Sequence, residues 1–312
     1  MPSVHQPPLH HEVAAREDRL GLGIGMMALA VLGFTCIDTS AKWLVLAGLP
    51  AIQVVFARYA VHFLQALVMF LPREGGDAIR SNAPKRQALR SLFLMGSTVC
   101  NFTALQYLPL TVTTTIMFSG PIAVTLLAIP ILGERVGIHR LVAVCVGFLG
   151  VLVVMQPWGA EFHPAMLLNL LAMTLASLYF IMTRMLAGIE SNATSQVWAS
   201  GLATLVLLPF AWSVWVWPDS VGGYVVLCLV GIFGGTSHIF ATYAHRLADA
   251  SILAPMIYIQ IVLAAIASIL VFGTWPTVWT LLGGLIIIAA GVYIWHRERE
   301  RRGPPPPSPA TR

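Results

Sequence analysis

Charge is what this chain has least of. Only 10% of its 312 residues are Asp, Glu, Lys or Arg, while 57% are hydrophobic, and the mean hydropathy is +0.80. So small a charged share excludes a disordered polyelectrolyte, and so large an apolar share exceeds that of an ordinary soluble domain. Cysteine is equally sparse. Cys36, Cys100, Cys145 and Cys228 stand apart in separate apolar stretches, which gives neither metal-ligand spacing nor a redox pair. The histidines are scattered too. No zinc cluster, phosphate loop or nucleophilic triad can be assembled, so no metal, cofactor or catalytic residue is expected and the chain is not read as an enzyme. A net charge of +5 with a pI near 9.3 would suit nucleic acid in a soluble protein. In a chain this apolar, no nucleic-acid partner is expected.

What is abundant is long apolar runs. A bilayer-crossing helix takes about 20 mostly apolar residues, and ten runs qualify: 20-43, 51-71, 89-107, 111-131, 138-155, 164-186, 195-216, 223-244, 251-272 and 278-295. The expected fold class is therefore all-α integral membrane, with the lipid bilayer as a partner. Residues 1-19 are polar, lack the pattern of a signal peptide and are expected to be a cytoplasmic tail. Residues 297-312, a basic run followed by prolines, are expected to be a second one.

Basic residues fix the orientation. With the amino terminus in the cytoplasm, 16 of the 18 Lys and Arg fall at cytoplasmic ends or tails, Arg90 and Arg184 among them, and the external loops hold none. That asymmetry is the positive-inside rule, and it puts both termini inside. Lys42 and Arg58, in the first two spans, are the basic residues it leaves over.

The chain also repeats itself. A shift of 140 residues lays 104-111 over 244-251, Leu132-Gly133 over Phe272-Gly273, and Phe118 over Tyr258; a shift of 142 lays Lys42 over Arg184. Two domains follow, 20-156 and 157-296, each with five spans. Because five is odd, the halves must lie inverted in the membrane.

Several short motifs then carry a family resemblance: Asp38-Thr39-Ser40-Ala41-Lys42-Trp43, Arg58-Tyr59, residues 103-110, Ser119-Gly120-Pro121, Leu132-Gly133-Glu134-Arg135 and residues 244-255. Their order and spacing resemble the drug/metabolite transporter superfamily of the type with two EamA repeats. The resemblance implies ten transmembrane helices as two inverted five-helix EamA repeats, in a secondary transporter moving a small organic solute across a bacterial inner membrane by alternating access. The opening Asp38–Trp43 motif and the tail-first organisation resemble bacterial riboflavin transporters, which makes riboflavin uptake the first expectation. Amino acids, amines, carboxylates and S-adenosylmethionine stay open as cargo, as does export, and a non-transporting membrane scaffold is the alternative class. The second repeat has Gly273-Thr274-Trp275 where the first has Gly133-Glu134-Arg135, so the two loops are not expected to share a role.

Candidate solute contacts are the polar and aromatic groups at membrane depth, where an ionised side chain is costly and usually faces protein or water. Asp38 and Lys42, one helical turn apart, can form a structural ion pair or part of a solute site. Arg58, with His62 one turn on, can hold a polar or anionic solute or join Asp38 in a network. Thr115 belongs to a threonine-rich segment that either lines a cavity or packs helices. Phe118 and Tyr258 form a symmetric pair of candidate cavity walls. His238 and Gln260 offer hydrogen bonds to a solute or to a neighbouring helix.

Overall fold

The computed structural model describes residues 9–133, 137–159, 162–186, 188–247, 253 and 256–302. Among the described residues, eleven apolar or mixed segments form helices: α1 (Leu9–Leu46), α2 (Ala51–Glu74), α3 (Pro84–Leu105), α4 (Leu110–Met117), α5 (Gly120–Leu132), α6 (Ile138–Met155), α7 (Ala165–Leu186), α8 (Asn192–Ser213), α9 (Val221–Leu247), α10 (Ile259–Phe272) and α11 (Val278–Arg302). A single 3₁₀ turn, Gly75–Ala78, follows α2. Among the described residues there is no strand. Eight segments are long and apolar enough to cross a membrane, with α4 and α5 together forming one of them, and α6 and α10 are the two shorter apolar helices. That accounts for ten crossings in a multi-pass membrane protein.

Two ends differ from the sequence expectation. Helix α1 runs back through residues 9–19, and α11 runs forward through the basic segment to Arg302. Both extensions are rich in Ala, Glu, Leu and Arg, which favour helix. The described part of each polar stretch is therefore a helical continuation of α1 or α11. Glu134 and Arg135 lie outside the described residues.

The crossings share one symmetry. Exchanging the two halves pairs α1 with α7, α2 with α8, α3 with α9, α4–α5 with α10, and α6 with α11. Under that exchange the α1–α9 contact becomes α7–α3, and α2–α9 becomes α8–α3. The α2–α8, α6–α11 and α4–α10 contacts map onto themselves. The fold is thus the two-repeat, ten-crossing architecture, each half supplying helices to the other's packing.

Local chemistry sets the matching breaks. The fourth crossing is interrupted at Phe118 and Ser119. Pro121 has no N–H to donate to the Met117 carbonyl, and Ser119 Oγ donates instead to Ile116 O at 2.6 Å. In the other half, Tyr258 is a turn residue immediately before α10. At the far end of these crossings Gly133 (φ 67°, ψ 21°) and Gly273 (φ 64°, ψ 16°) close α5 and α10 in the left-handed conformation, the usual glycine C-cap.

Close approach of backbones joins α6 to α11. A Cβ on Gly283 would lie 2.6 Å from the Gly150 carbonyl, so these two glycines let the helices meet, as small residues do in membranes. Outside, large side chains such as Leu64, Val68, Leu205, Leu270 and Leu285 stay exposed, a surface suited to lipid and not to water.

Candidate functional site

The one carboxylate away from the helix ends among the described residues is Asp38, half-buried on α1. Its Oδ1 accepts from Asn101 Nδ2 on α3 at 3.2 Å, and Asn101 Oδ1 accepts from Asn169 Nδ2 on α7 at 2.7 Å. Asn169 is fully buried and its own oxygen has no protein partner. A polar thread therefore crosses from the first repeat into the second.

Lys42 does not join it. Its Nζ donates to Leu105 O at 3.2 Å and to Leu108 O, where α3 ends and the chain turns toward α4, and it lies 5.4 Å from the Phe272 ring centroid. Carbonyls at a helix C-terminus attract a cation. The Asp38–Lys42 ion pair allowed by their spacing is not made, and Lys42 caps α3.

Arg58 lies near enough for its charge to act on Asp38, without forming an ion pair. Its Nη1 donates to Thr98 Oγ1 at 3.4 Å, its guanidinium sits 4.6 Å from the centroid of the Tyr59 ring, and its Nε is buried without a partner. Tyr59 Oη shares Thr98 Oγ1 at 2.8 Å, which holds α2 to α3. One turn along α2, His62 stacks on His238 of α9 with ring centroids 5.9 Å apart and planes 7° apart. The Phe34 edge closes the other side of His238 at 5.2 Å. Asp38, Arg58 and His238 are thus assembled where α1, α2, α3 and α9 converge.

The remaining candidates belong to a second locus. Phe118 and Tyr258, the two break residues, touch with centroids 5.8 Å apart, so the repeat-related rings do meet. Tyr258 also reaches α11, where a Cβ on Gly291 would collide with its hydroxyl. Thr115 Oγ1 donates back to Thr111 O at 2.7 Å and its methyl faces Gly284, an arrangement that serves packing. Gln260 is buried in the first turn of α10.

Three features escape sequence reasoning. Asn101 and Asn169 are single amides in apolar spans, and their rarity there is the available signal. Arg90, read from sequence as a cytoplasmic-end charge, is instead buried between α3, α7 and α8. It donates to Thr183 Oγ1, Gln87 Oε1, Ser195 O and Tyr179 Oη at 2.7, 3.3, 3.2 and 3.0 Å.

The third is a pair of ties closing the α2–α8 contact at both ends. At one end Glu190 Oε1 accepts from Ser81 Oγ at 2.7 Å and Ala83 N at 2.8 Å, while Trp198 Nε1 donates to Ile79 O at 2.8 Å. At the other end Gln53 makes two bonds to the Val216 backbone, at 2.7 and 2.9 Å.

Residues 21–156 and 163–295 each match the EamA-like transporter family. A riboflavin transporter of Rhizobium johnstonii is 28% identical over 294 residues, covering 94% of this chain and 97% of its own. An S-adenosylmethionine uptake transporter of Rickettsia prowazekii is 28% identical over 280 residues, covering 89% and 94%. A pseudopaline exporter of Pseudomonas aeruginosa is 28% identical over 293 residues, covering 92% and 99%. A solved crystal structure at 16% identity, covering 88% of this chain and 99% of its own with a TM-score of 0.59, shares the fold.

Proposed function

We propose, from the premise that the chain belongs to the EamA-like transporter family, that it takes up riboflavin across a bacterial inner membrane by alternating access, with both termini cytoplasmic. The observation that carries an alternating-access reading is the pair of interrupted crossings. The breaks at Phe118 and Tyr258 lie at equivalent positions of the two repeats, and their rings meet between α4 and α10. Interrupted helices at a repeat interface are where transporters of this construction hold cargo.

The Asp38–Asn101–Asn169 thread and Arg58 supply polar groups for a ring system bearing several hydrogen-bonding edges, and Phe118 and Tyr258 supply flat surfaces for the ring itself. The relatives that transport riboflavin support this cargo. The orientation rests on Arg73 in the last turn of α2, Arg80 in the link that follows, and Lys85 and Arg86 in the first turn of α3, a cluster that belongs on the cytoplasmic side. A second reading, S-adenosylmethionine uptake, rests on relatives of the same 28% identity.

The test is uptake of labelled riboflavin and labelled S-adenosylmethionine, beside a panel of amino acids, in a strain lacking its own transporters. Saturable riboflavin uptake competed by unlabelled riboflavin supports the first reading. Background riboflavin uptake with S-adenosylmethionine accumulating replaces it with the second, and efflux from preloaded cells with no uptake reverses the direction.

A further inference from the structure

We infer that the face shared by α2 and α9 is an anion site, in which Arg58, His62 and His238 receive a carboxylate or phosphate carried by the solute. The inference rests on the transporter reading but not on its first cargo: riboflavin carries neither group, so an anion site favours a solute that bears a carboxylate or phosphate. Its basis is a set of buried polar atoms that the protein leaves unanswered. Arg58 is 5% exposed and His62 is 1% exposed, yet Arg58 Nε and both ring nitrogens of His62 have no hydrogen-bond partner. Guanidinium Nε always carries a proton, and an imidazole carries at least one. Arg58 Nε is therefore an unused buried donor, and His62 one turn on has only the buried Gln196 side chain of α8 within reach, where buried donors are almost always satisfied.

The opposite wall packs closely against these groups, with the Gln65 and His62 side chains of α2 filling the space a Cβ on Gly235 would need. Gly234 and Gly235 present bare backbone of α9 to α2. A Cβ on Gly234 would stand 3.6 Å from the Arg58 side chain, and one on Gly235 would come within 2.9 Å of His62 Cδ2. Three residues on, His238 lays its ring parallel to His62. Arg58, His62 and His238 face one another here, and the acid nearby, Asp38, bonds to Asn101 and not to Arg58.

Charge balance points the same way. Among the described residues, three Lys or Arg side chains are buried within the spans: Lys42, Arg58 and Arg90. Lys42 is answered by two carbonyls and Arg90 by four acceptors. Arg58 has one long bond to a hydroxyl, and Asp38 forms no ion pair with it. A buried cation whose nearest acid is not in hydrogen-bonding contact is expensive, and a solute that brings its own anion supplies a direct partner in bidentate geometry.

The experiment uses the purified full-length chain in lipid nanodiscs and two matched pairs of probes. S-adenosylmethionine is compared with its decarboxylated form, and riboflavin 5′-phosphate with riboflavin; acetate and inorganic phosphate serve as bare anions at matched ionic strength. In at least one pair the anion-bearing member is expected to bind about 10-fold or more tightly, the size of one charge-assisted bond. Arg58→Gln abolishes that preference, His62→Gln reduces it, and Arg58→Lys retains part of it, each in protein that remains monodisperse. The S-adenosylmethionine pair and acetate report a carboxylate site, the flavin pair and phosphate a phosphate site. Equal binding within both pairs, or an Arg58→Gln loss equal for both members, overturns the anion site and leaves the transporter reading untouched. If no organic probe binds but phosphate or acetate stabilises the wild type and not Arg58→Gln, the site stands and the cargo assignments fail. No effect of any anion overturns the proposal.

Discussion

Lys42→Met separates a structural cation from a solute ligand. Methionine keeps the length of the side chain and removes the ammonium, so the Leu105 and Leu108 carbonyls lose their donor where no water replaces it. Each lost bond to a charged group costs about 1.5–3 kcal/mol, and relief of the burial of an ammonium that is only 7% exposed returns part of that. The net is a destabilisation of about 2 kcal/mol, or roughly 3 °C in thermal midpoint for a chain of this size. Thermal unfolding in detergent, followed by uptake at a temperature where both proteins are folded, measures the two consequences separately. The expected result is a lowered midpoint with uptake within about 2-fold of wild type, because the structural argument assigns Lys42 to the end of α3. An unchanged midpoint with uptake abolished would refute the argument and make Lys42 a solute contact.

Asn101→Leu strands both Asp38 and Asn169; a midpoint loss equivalent to about 1–3 kcal/mol is expected together with uptake at least about 10-fold lower, and normal uptake would remove the polar thread from the mechanism. Gly283→Ala and Gly284→Ala form a matched test of the α6–α11 contact. The first places a methyl 2.6 Å from the Gly150 carbonyl and costs about 1–3 kcal/mol, whereas the second meets Thr115 at an ordinary 3.5 Å and is expected to be tolerated. Equal midpoints for the two variants would contradict the close approach. Glu190→Ala is expected to raise amide hydrogen exchange in residues 75–83 and leave residues 214–220 unchanged, and Gln53→Ala to do the reverse, since each cuts one end of the α2–α8 contact. Exchange that rises at both ends in either variant would show that the ties do not act independently.

Much of this architecture was legible before any coordinates. Ten apolar runs gave ten crossings, and the 140-residue shift paired Gly133 with Gly273 and Phe118 with Tyr258, which share a left-handed cap and a helix break. Periodicity and length report these features because they are properties of a helix and its ends. Partner choice is not such a property. Asp38 and Lys42 have the spacing of an ion pair, but Lys42 finds a pair of carbonyls contributed by a turn 63 and 66 residues away. Arg90 lies six residues into α3, about 9 Å from its start at 1.5 Å per residue, close enough to read as a headgroup charge. Only the tertiary placement of Tyr179, Thr183 and Ser195 turns it inward. The Asn101–Asn169 bond joins residues 68 apart, and no local pattern announces it.

The symmetry of the scaffold and the asymmetry of its chemistry divide the work between them. The breaks, the caps and the interlocked contacts recur in both repeats, as an alternation between two mirrored openings requires. Asp38 and Arg58 do not recur: with the 142-residue shift that lays Lys42 over Arg184, Asp38 falls on Phe180 and Arg58 on Ser200. Mirrored helices can exchange conformations at little cost because each contact broken on one side has an equivalent to form on the other. A solute has no such two-fold symmetry, so its polar edges must be met by groups that only one repeat supplies. Transplanting the charges tests this division. Ser200→Arg gives α8 the counterpart of Arg58 in a buried position with no acid beside it. An unpaired buried cation costs several kcal/mol, so the variant is expected to unfold at lower temperature without gaining transport. A stable Ser200→Arg protein with raised uptake would show that the second repeat can carry the solute's charge, and that the asymmetry is not required.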